Sequence, residues 1–268
     1  METVPRPAAF YTEPERVEVG GLEVAYRRGG DGEPVLFLHG AGFTRMWPPF
    51  HERLSESVDL IAPDHPGYGE TPMPDWLDGF DDLVIHYDEF LEALGIGEVH
   101  LVGVSLGGWI AAEVAVFYPR RVRSLTLIAP AGLRVPGHPV RNLAAMLPED
   151  LWDTIFNDKT NMHQYVPTGD DPEEIVHAFG EATTFARLAW NPQYDIKLEQ
   201  RLRRATCPAL VVKAEDDRIV PGEIADRYAE LLPDARVETI PGTGHAIIHE
   251  RPEESAELIA GFVREAAG

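Results

Sequence analysis

Positive charge is scarce in this chain. Of 268 residues, 23 are Lys or Arg against 45 Asp or Glu, which leaves a formal net charge of −22. Lysine is the rarer of the two, present only as Lys159, Lys197 and Lys213. So acidic a chain repels phosphate backbones and anionic headgroups, so neither nucleic acid nor a membrane surface is an expected partner. A salt-adapted solubility role is a second, lesser reading of the same acidity. Cysteine is nearly absent too. Cys207 stands alone, which excludes an intramolecular disulfide. No Cys/His cluster has zinc-like spacing, and neither a metal nor another cofactor is expected. Long hydrophobic runs are also missing. The first 14 residues hold three prolines and no apolar core of a signal peptide. The most apolar stretch, residues 101–117, is broken by Ser105, three glycines and Glu113. A membrane span needs roughly 18 unbroken apolar residues. The expectation is a cytoplasmic protein, monomer or homodimer, acting on a small molecule.

What is present suits a globular enzyme. Hydrophobic residues make up 44% of the chain, an ordinary share, and the length supports a full-sized core. Residues 17–19 and 22–27 alternate apolar and polar around Gly20-Gly21, the pattern of a hairpin. Short apolar runs follow at 35–38, 58–62, 99–104, 124–129, 209–213 and 236–240. Continuous Val/Ile/Leu runs of this length suit strands buried on both faces of a parallel sheet. Helical patterns lie between them. Phe80, Leu83, Val84, Tyr87, Leu91 and Leu94 form one stripe that stops at Gly95. Further helices are read at 106–118, 223–232 and 253–267. Strands alternating with helices predict an α/β protein with a doubly wound, mostly parallel, eight-stranded sheet. Residues 133–204 break the rhythm. They lack a convincing strand and carry helix starts at Pro148-Glu149-Asp150 and Asp171-Pro172-Glu173. The reading is a core of residues 1–132 and 205–268 with a helical cap inserted between them. A cap of this kind needs some packing of its own.

The chemistry concentrates at strand ends. Gly103-Val104-Ser105-Leu106-Gly107 is G-x-S-x-G placed after a strand and before a helix. Glycines on both sides make room for a tight turn that lifts the Ser105 hydroxyl clear of the sheet, beside the unpaired N–H groups of a helix N-terminus. A serine hydroxyl is hardly ionised at neutral pH and needs a base. His245, in Pro241-Gly242-Thr243-Gly244-His245, follows the last strand and falls on the same sheet edge. His249, four residues on, is read instead as a helix cap or a solvent-facing side chain. The base needs an orienting acid, and Glu215-Asp216-Asp217 follows the preceding strand; spacing alone does not choose among the three. Asp217 gives the chain order Ser105, Asp217, His245, that of one class of serine hydrolases. His39-Gly40-Ala41-Gly42 ends an early strand, and the N–H groups of Ala41 and Leu106, with Gly42 in reserve, are the expected oxyanion hole. One such donor is worth about 3–4 kcal/mol in the transition state. His39 itself is read as a loop anchor.

Taken together, His39-Gly40-Ala41-Gly42, Ala62-Pro63-Asp64-His65-Pro66-Gly67-Tyr68-Gly69, the Ser105 turn, Asp217-Arg218-Ile219-Val220-Pro221 and Gly244-His245 resemble the α/β-hydrolase family over nearly the whole chain. The resemblance implies that Asp217, not Asp216, is the acid. It makes Asp64 and Tyr68 fold-supporting residues. Family members that place the acid after the preceding strand have no counterpart here, because Ala129-Pro130-Ala131-Gly132 carries no carboxylate. Ala214 replaces the glycine usual three residues before the acid. A serine nucleophile argues against members that use aspartate. Carbon–carbon hydrolases of the meta-cleavage type usually carry Asn before the nucleophile and Trp after the base; here those positions are Val104 and Ala246. The default is hydrolysis of a small hydrophobic carboxylic ester or lactone through an acyl-enzyme. Carbon–carbon hydrolysis or perhydrolysis on the same triad is the alternative, and a ligand-binding protein with a vestigial triad is the alternative of another class. Trp152, Phe156, Phe185 and Trp190 are the candidate pocket residues.

Overall fold

The structure, a computed structural model, describes residues 9–166 and 172–268. Two sequence readings, the leader segment over its first eight residues and the helix start at Asp171, lie outside the described residues. Eight strands, β1 (Glu15–Val19), β2 (Leu22–Gly29), β3 (Pro34–Leu38), β4 (Asp59–Pro63), β5 (Val99–Val104), β6 (Val122–Ile128), β7 (Ala209–Ala214) and β8 (Ala235–Ile240), form one sheet. Its order is β1-β2-β4-β3-β5-β6-β7-β8. β2 pairs antiparallel with β1 and β4, and every other neighbouring pair is parallel. Only β2 therefore runs against the rest.

The apolar runs are continuous because both faces of the sheet are covered. Leu36, Leu38, Leu101, Leu127 and Val211 point to one side and pack with α2 (Phe80–Ala93), α3 (Leu106–Phe117) and α7 (Gly222–Leu231). Val35, Phe37, Val102, Ile128 and Val212 point to the other and pack with α1 (Pro49–Ser55) and α9 (Pro252–Ala267). Successive residues of one strand serve opposite cores, as the pleat requires. The stripe read on α2 buries Leu83, Val84, Tyr87 and Leu91. Gly95 ends the helix at φ 71°, and Ile96 and Gly95 donate to the carbonyls of Leu91 and Glu92, both at 2.9 Å. That Schellman turn is the reason glycine stands there.

Between β6 and β7 the described residues carry no strand. They hold α4 (Pro148–Ile155), α5 (Pro172–Ala189), α6 (Leu198–Arg201) and short 3₁₀ turns. α8 (Ile247–Glu250) precedes α9. The inserted helices are tied to the sheet domain by polar contacts. On α5, Glu181 accepts from Thr44 Oγ1 at 2.6 Å and from the Gly69 N–H at 3.0 Å, while Thr184 Oγ1 donates to the Gly67 carbonyl at 2.9 Å. A Cβ at Gly67 would lie 2.7 Å from Thr184 Oγ1, so only glycine lets α5 come this close. No helix among the described residues is long and apolar enough to cross a membrane.

One buried charge in the core has a measurable signature. Glu113 on α3 is 2% exposed and faces Arg201 Nη1 at 3.3 Å; Arg201 also meets Asp195 at 2.9 Å. Burial pushes the Glu113 carboxyl up to about 7, against the pull of Arg201. The folded state then holds this proton more tightly than the unfolded chain. Its contribution to stability is full below the unfolded value of 4.5 and is lost as pH rises towards 7. The neutral isostere Glu113→Gln should remove that loss, worth roughly 3 kcal/mol at most. Urea melts at mildly acidic and neutral pH check it: wild type should weaken relative to the variant as pH rises, and a parallel response of both proteins would contradict it.

Candidate active site

The direction of winding reverses between β3 and β5, and open α/β sheets bind ligands at such a point. The loops after those two strands carry His39-Gly40-Ala41-Gly42 and Ser105. They touch: a Cβ at Gly40 would lie 3.5 Å from Ser105 Cβ. Ser105 itself has φ 53° and ψ −110°, a left-handed conformation costly for a side-chain-bearing residue. Its N–H donates to the Ile128 carbonyl at 2.9 Å, and its carbonyl accepts from Trp109 and Ala131, both at 3.1 Å. The turn is therefore held by its own backbone. A Cβ at Gly103 would sit 2.2 Å from the Gly107 carbonyl oxygen, and one at Gly107 only 2.1 Å from that of Leu38. Both glycines of the motif are required sterically.

Three side chains meet at this turn. His245 Nε2 lies 2.9 Å from Ser105 Oγ, and His245 Nδ1 lies 2.8 Å from Asp217 Oδ2. A carboxylate only accepts, so Nδ1 carries the hydrogen and Nε2 is free to accept from the serine hydroxyl. Asp217 Oδ1 accepts from the N–H groups of Ile219 and Val220, each at 2.8 Å. One carboxylate oxygen thus fixes its own loop while the other fixes the imidazole. Asp216 turns outward and takes the Asn157 amide at 3.3 Å, and Glu215 accepts from the Gly242 N–H. The choice among three adjacent acids, open in the sequence, is decided by geometry in favour of Asp217 as the partner of His245.

The His245 loop has a support that sequence reasoning missed. Glu250 on α8 accepts from the N–H groups of Gly244 at 3.0 Å, Asn157 at 3.1 Å and Asp158 at 2.7 Å. Ala246 donates to the Ile155 carbonyl at 3.2 Å. The end of α4 is therefore clamped onto the His245 loop, and a Cβ at Gly244 would lie 2.7 Å from the Asn157 nitrogen. The glycine before the histidine was the available signal.

His39 sits as a loop anchor. Its Nε2 accepts the His65 N–H at 3.0 Å, so its Nδ1 donates to the Gly40 carbonyl at 2.6 Å. His65 Nε2 in turn donates to the His39 carbonyl at 2.9 Å. Burial lowers the pKa of both rings and keeps them neutral. Asp64 accepts from Arg27, Arg45 and Glu70 within the same loop network, and Tyr68 is fully buried.

A cavity of about 540 Å³ opens above Ser105 and His245 and is also bordered by Ala41 and Gly42. Leu106, the first helical residue after Ser105, borders an adjoining small hollow with Ser105 and Phe185. A Cβ at Gly42 would meet nothing within 4 Å, so space does not demand glycine there. Of the four expected pocket aromatics, Trp152 and Phe185 line the cavity. Phe156 does not: it is 1% exposed, packed in the core at the end of α4 behind Phe43 and Tyr165. Trp190 does not either, being 54% exposed. It follows Phe185 by five residues, about 140° around a helix, and so leaves the inward face. His249 also departs from expectation. It is neither a cap nor solvent-facing but buried at 5% exposure, because every residue of α8 packs inward.

Comparison with known proteins agrees with this fold. The family model described as "Alpha/beta hydrolase family" matches residues 35–258. A 2-hydroxy-6-oxo-6-(2'-aminophenyl)hexa-2,4-dienoic acid hydrolase of Metapseudomonas resinovorans is 30% identical over 92% of this chain and 89% of its own. The monoacylglycerol lipase ABHD6 of Bos taurus is 27% identical over 88% of this chain and 77% of its own. Among solved structures, a membrane phospholipase A described as a bacterial virulence factor superposes with a TM-score of 0.81 at 26% identity, covering 97% of this chain and 88% of that one.

Asp217 and its neighbour Asp216 give a paired test. Asp217→Asn leaves shape intact but offers Nδ1 the wrong hydrogen, and kcat should fall about a thousandfold or more. Asp216→Asn should change kcat less than about threefold, as surface substitutions usually do. Steady-state kinetics on both variants decide, and equal losses would contradict the assignment.

Proposed function

The chain belongs to the alpha/beta hydrolase family, and on that premise we propose that it is a serine hydrolase of small hydrophobic carboxylic esters or lactones. The observation that carries this reading is the run of contacts from Ser105 through His245 to Asp217, set at the floor of the cavity. Ser105 Oγ attacks the ester carbonyl while His245 Nε2 takes its proton, and Asp217 stabilises the imidazolium. The N–H groups of Ala41 and Leu106 hold the oxyanion. His245 returns the proton to the departing alcohol. It then draws a proton from water, which attacks the acyl-enzyme and frees the acid and Ser105. Leu143, Leu151, Trp152, Ile155 and Phe185 present apolar surface to the cavity, which favours hydrophobic acyl or alcohol groups. In this reading the inserted helices act as its cap.

A second reading has one specific support. The relative at 30% identity hydrolyses, by its name, a 2-hydroxy-6-oxo dienoic acid. Val104 and Ala246 stand where such enzymes usually carry Asn and Trp, which weighs against it.

Hydrolysis of p-nitrophenyl esters of increasing chain length, followed by the absorbance of the released p-nitrophenolate, separates these readings. Wild type should turn over medium-length esters with kcat/KM about a thousandfold or more above Ser105→Ala. Equal rates in the two proteins would overturn the proposal, and turnover of a 2-hydroxy-6-oxo dienoic acid in preference to every ester would favour the second reading.

A further inference from the structure

Among the described residues that border the cavity, Arg45 is the only lysine or arginine. The other basic groups on the wall are histidines, and burial keeps His39, His51 and His249 uncharged. The backbone of Arg45 is closely held. It has φ 61°, a left-handed conformation costly for a residue with a side chain, and its N–H donates to Asp64 Oδ1 at 3.2 Å. A free guanidinium on the wall of an apolar cavity would be a natural seat for a carboxylate.

This guanidinium is already taken. Arg45 Nη2 donates to Glu174 Oε2 at 2.7 Å, with the two side chains 13% and 15% exposed. Glu174 and Glu181 lie two turns apart on α5, on the face that continues along the cavity wall through Ala178, Ala182 and Phe185. Glu181 takes the hydroxyl of Thr44, and Glu174 takes the residue after it. Two acidic side chains thus stand against one guanidinium. No lysine or arginine of the described wall is left over for a substrate's anionic group. A carboxylate that enters must give up its water without a counter-charge, which is costly.

We propose that Glu174 is a specificity-determining residue: by neutralising Arg45 it makes the cavity select uncharged substrates and reject those with a free carboxylate. The proposal deepens the hydrolase reading and rests on it: the substrate class becomes esters with no ionised group beyond the scissile bond. The same ion pair also joins α5 to the sheet domain, and a purely structural role is the competing account. Loss of a structural tie changes turnover of charged and uncharged esters alike. Loss of the neutralising charge changes their ratio.

The test uses matched esters at about pH 8, where a free carboxyl is ionised: p-nitrophenyl hexanoate and octanoate against the p-nitrophenyl monoesters of adipic and suberic acid, and phenyl butyrate against 4-carboxyphenyl butyrate. In wild type each uncharged ester should exceed its carboxylate partner in kcat/KM by about tenfold or more. Glu174→Gln keeps an acceptor for Arg45 and removes only the charge; Glu174→Ala removes both. In at least one pair the preference should fall to about one in these variants, and it should return to about tenfold in the double variant Arg45→Met/Glu174→Gln. Circular dichroism melts report whether each variant folds. Parity in any wild-type pair, a preference unmoved in both Glu174 variants, or one that does not return in the double variant overturns the assignment. If no ester is turned over, the hydrolase reading fails by itself, and the selectivity is read by calorimetry instead. Hexanone should then bind wild type about tenfold more tightly than hexanoate, with the difference lost in Glu174→Gln; equal binding, or none of either, overturns it.

Discussion

The turn at Ser105 is the constraint around which the rest of the molecule is arranged. A serine at φ 53° stores strain that its neighbours must hold in place. They hold it by leaving no alternative. Gly103 and Gly107 bring backbone to within what a single Cβ would occupy, and the carbonyl of Leu38 fills the space above Gly107. The end of β3, the end of β5 and the start of α3 are thereby locked together. One consequence is positional: the loop that follows β3 lies directly against the Ser105 turn. In the proposed mechanism, the oxyanion donors and the nucleophile both follow from that one close approach.

His245 is placed by a different device. His245 has no strained backbone to fix it, and its position comes from polar contacts on both sides. Asp217 holds the ring from below, with its second oxygen spent on the N–H groups of Ile219 and Val220. Glu250 holds the loop from behind and reaches the inserted helical segment at Asn157 and Asp158. Glu181 ties α5 to Thr44 and Gly69, just past the oxyanion loop. Burial raises the pKa of this carboxyl. The inserted segment is therefore hydrogen-bonded to the His245 loop at one end and to Thr44 and Gly69 at the other.

How far the sequence could be read follows from these physical differences. The sheet was legible because its central strands, buried on two faces, are apolar at nearly every position while the first two alternate, and all eight runs appear as strands. The Ser105 turn was legible because its glycines have no substitute. Which of Asp216 and Asp217 faces His245 was not fixed by spacing; it depends on the turn of the loop, which the family resemblance indicated and the geometry shows. The pocket was the least legible. Trp152, Phe156, Phe185 and Trp190 look alike as apolar residues of helices, but their facing depends on where each helix ends. His249 and His51 carried no pattern at all, since a histidine outside a motif gives no sign of whether it meets water or a cavity. The α1 and α8 helices, too short to show a period, were missed for the same reason.

The central claim is that Ser105 is an activated nucleophile because His245 and Asp217 are held against it. Labelling with a fluorophosphonate, followed by mass mapping of the adduct, tests it most directly. The account predicts a single modified residue, Ser105, with labelling abolished in Ser105→Ala and strongly slowed in His245→Ala. Absence of labelling in the folded wild-type protein, or an adduct on another residue, would contradict it.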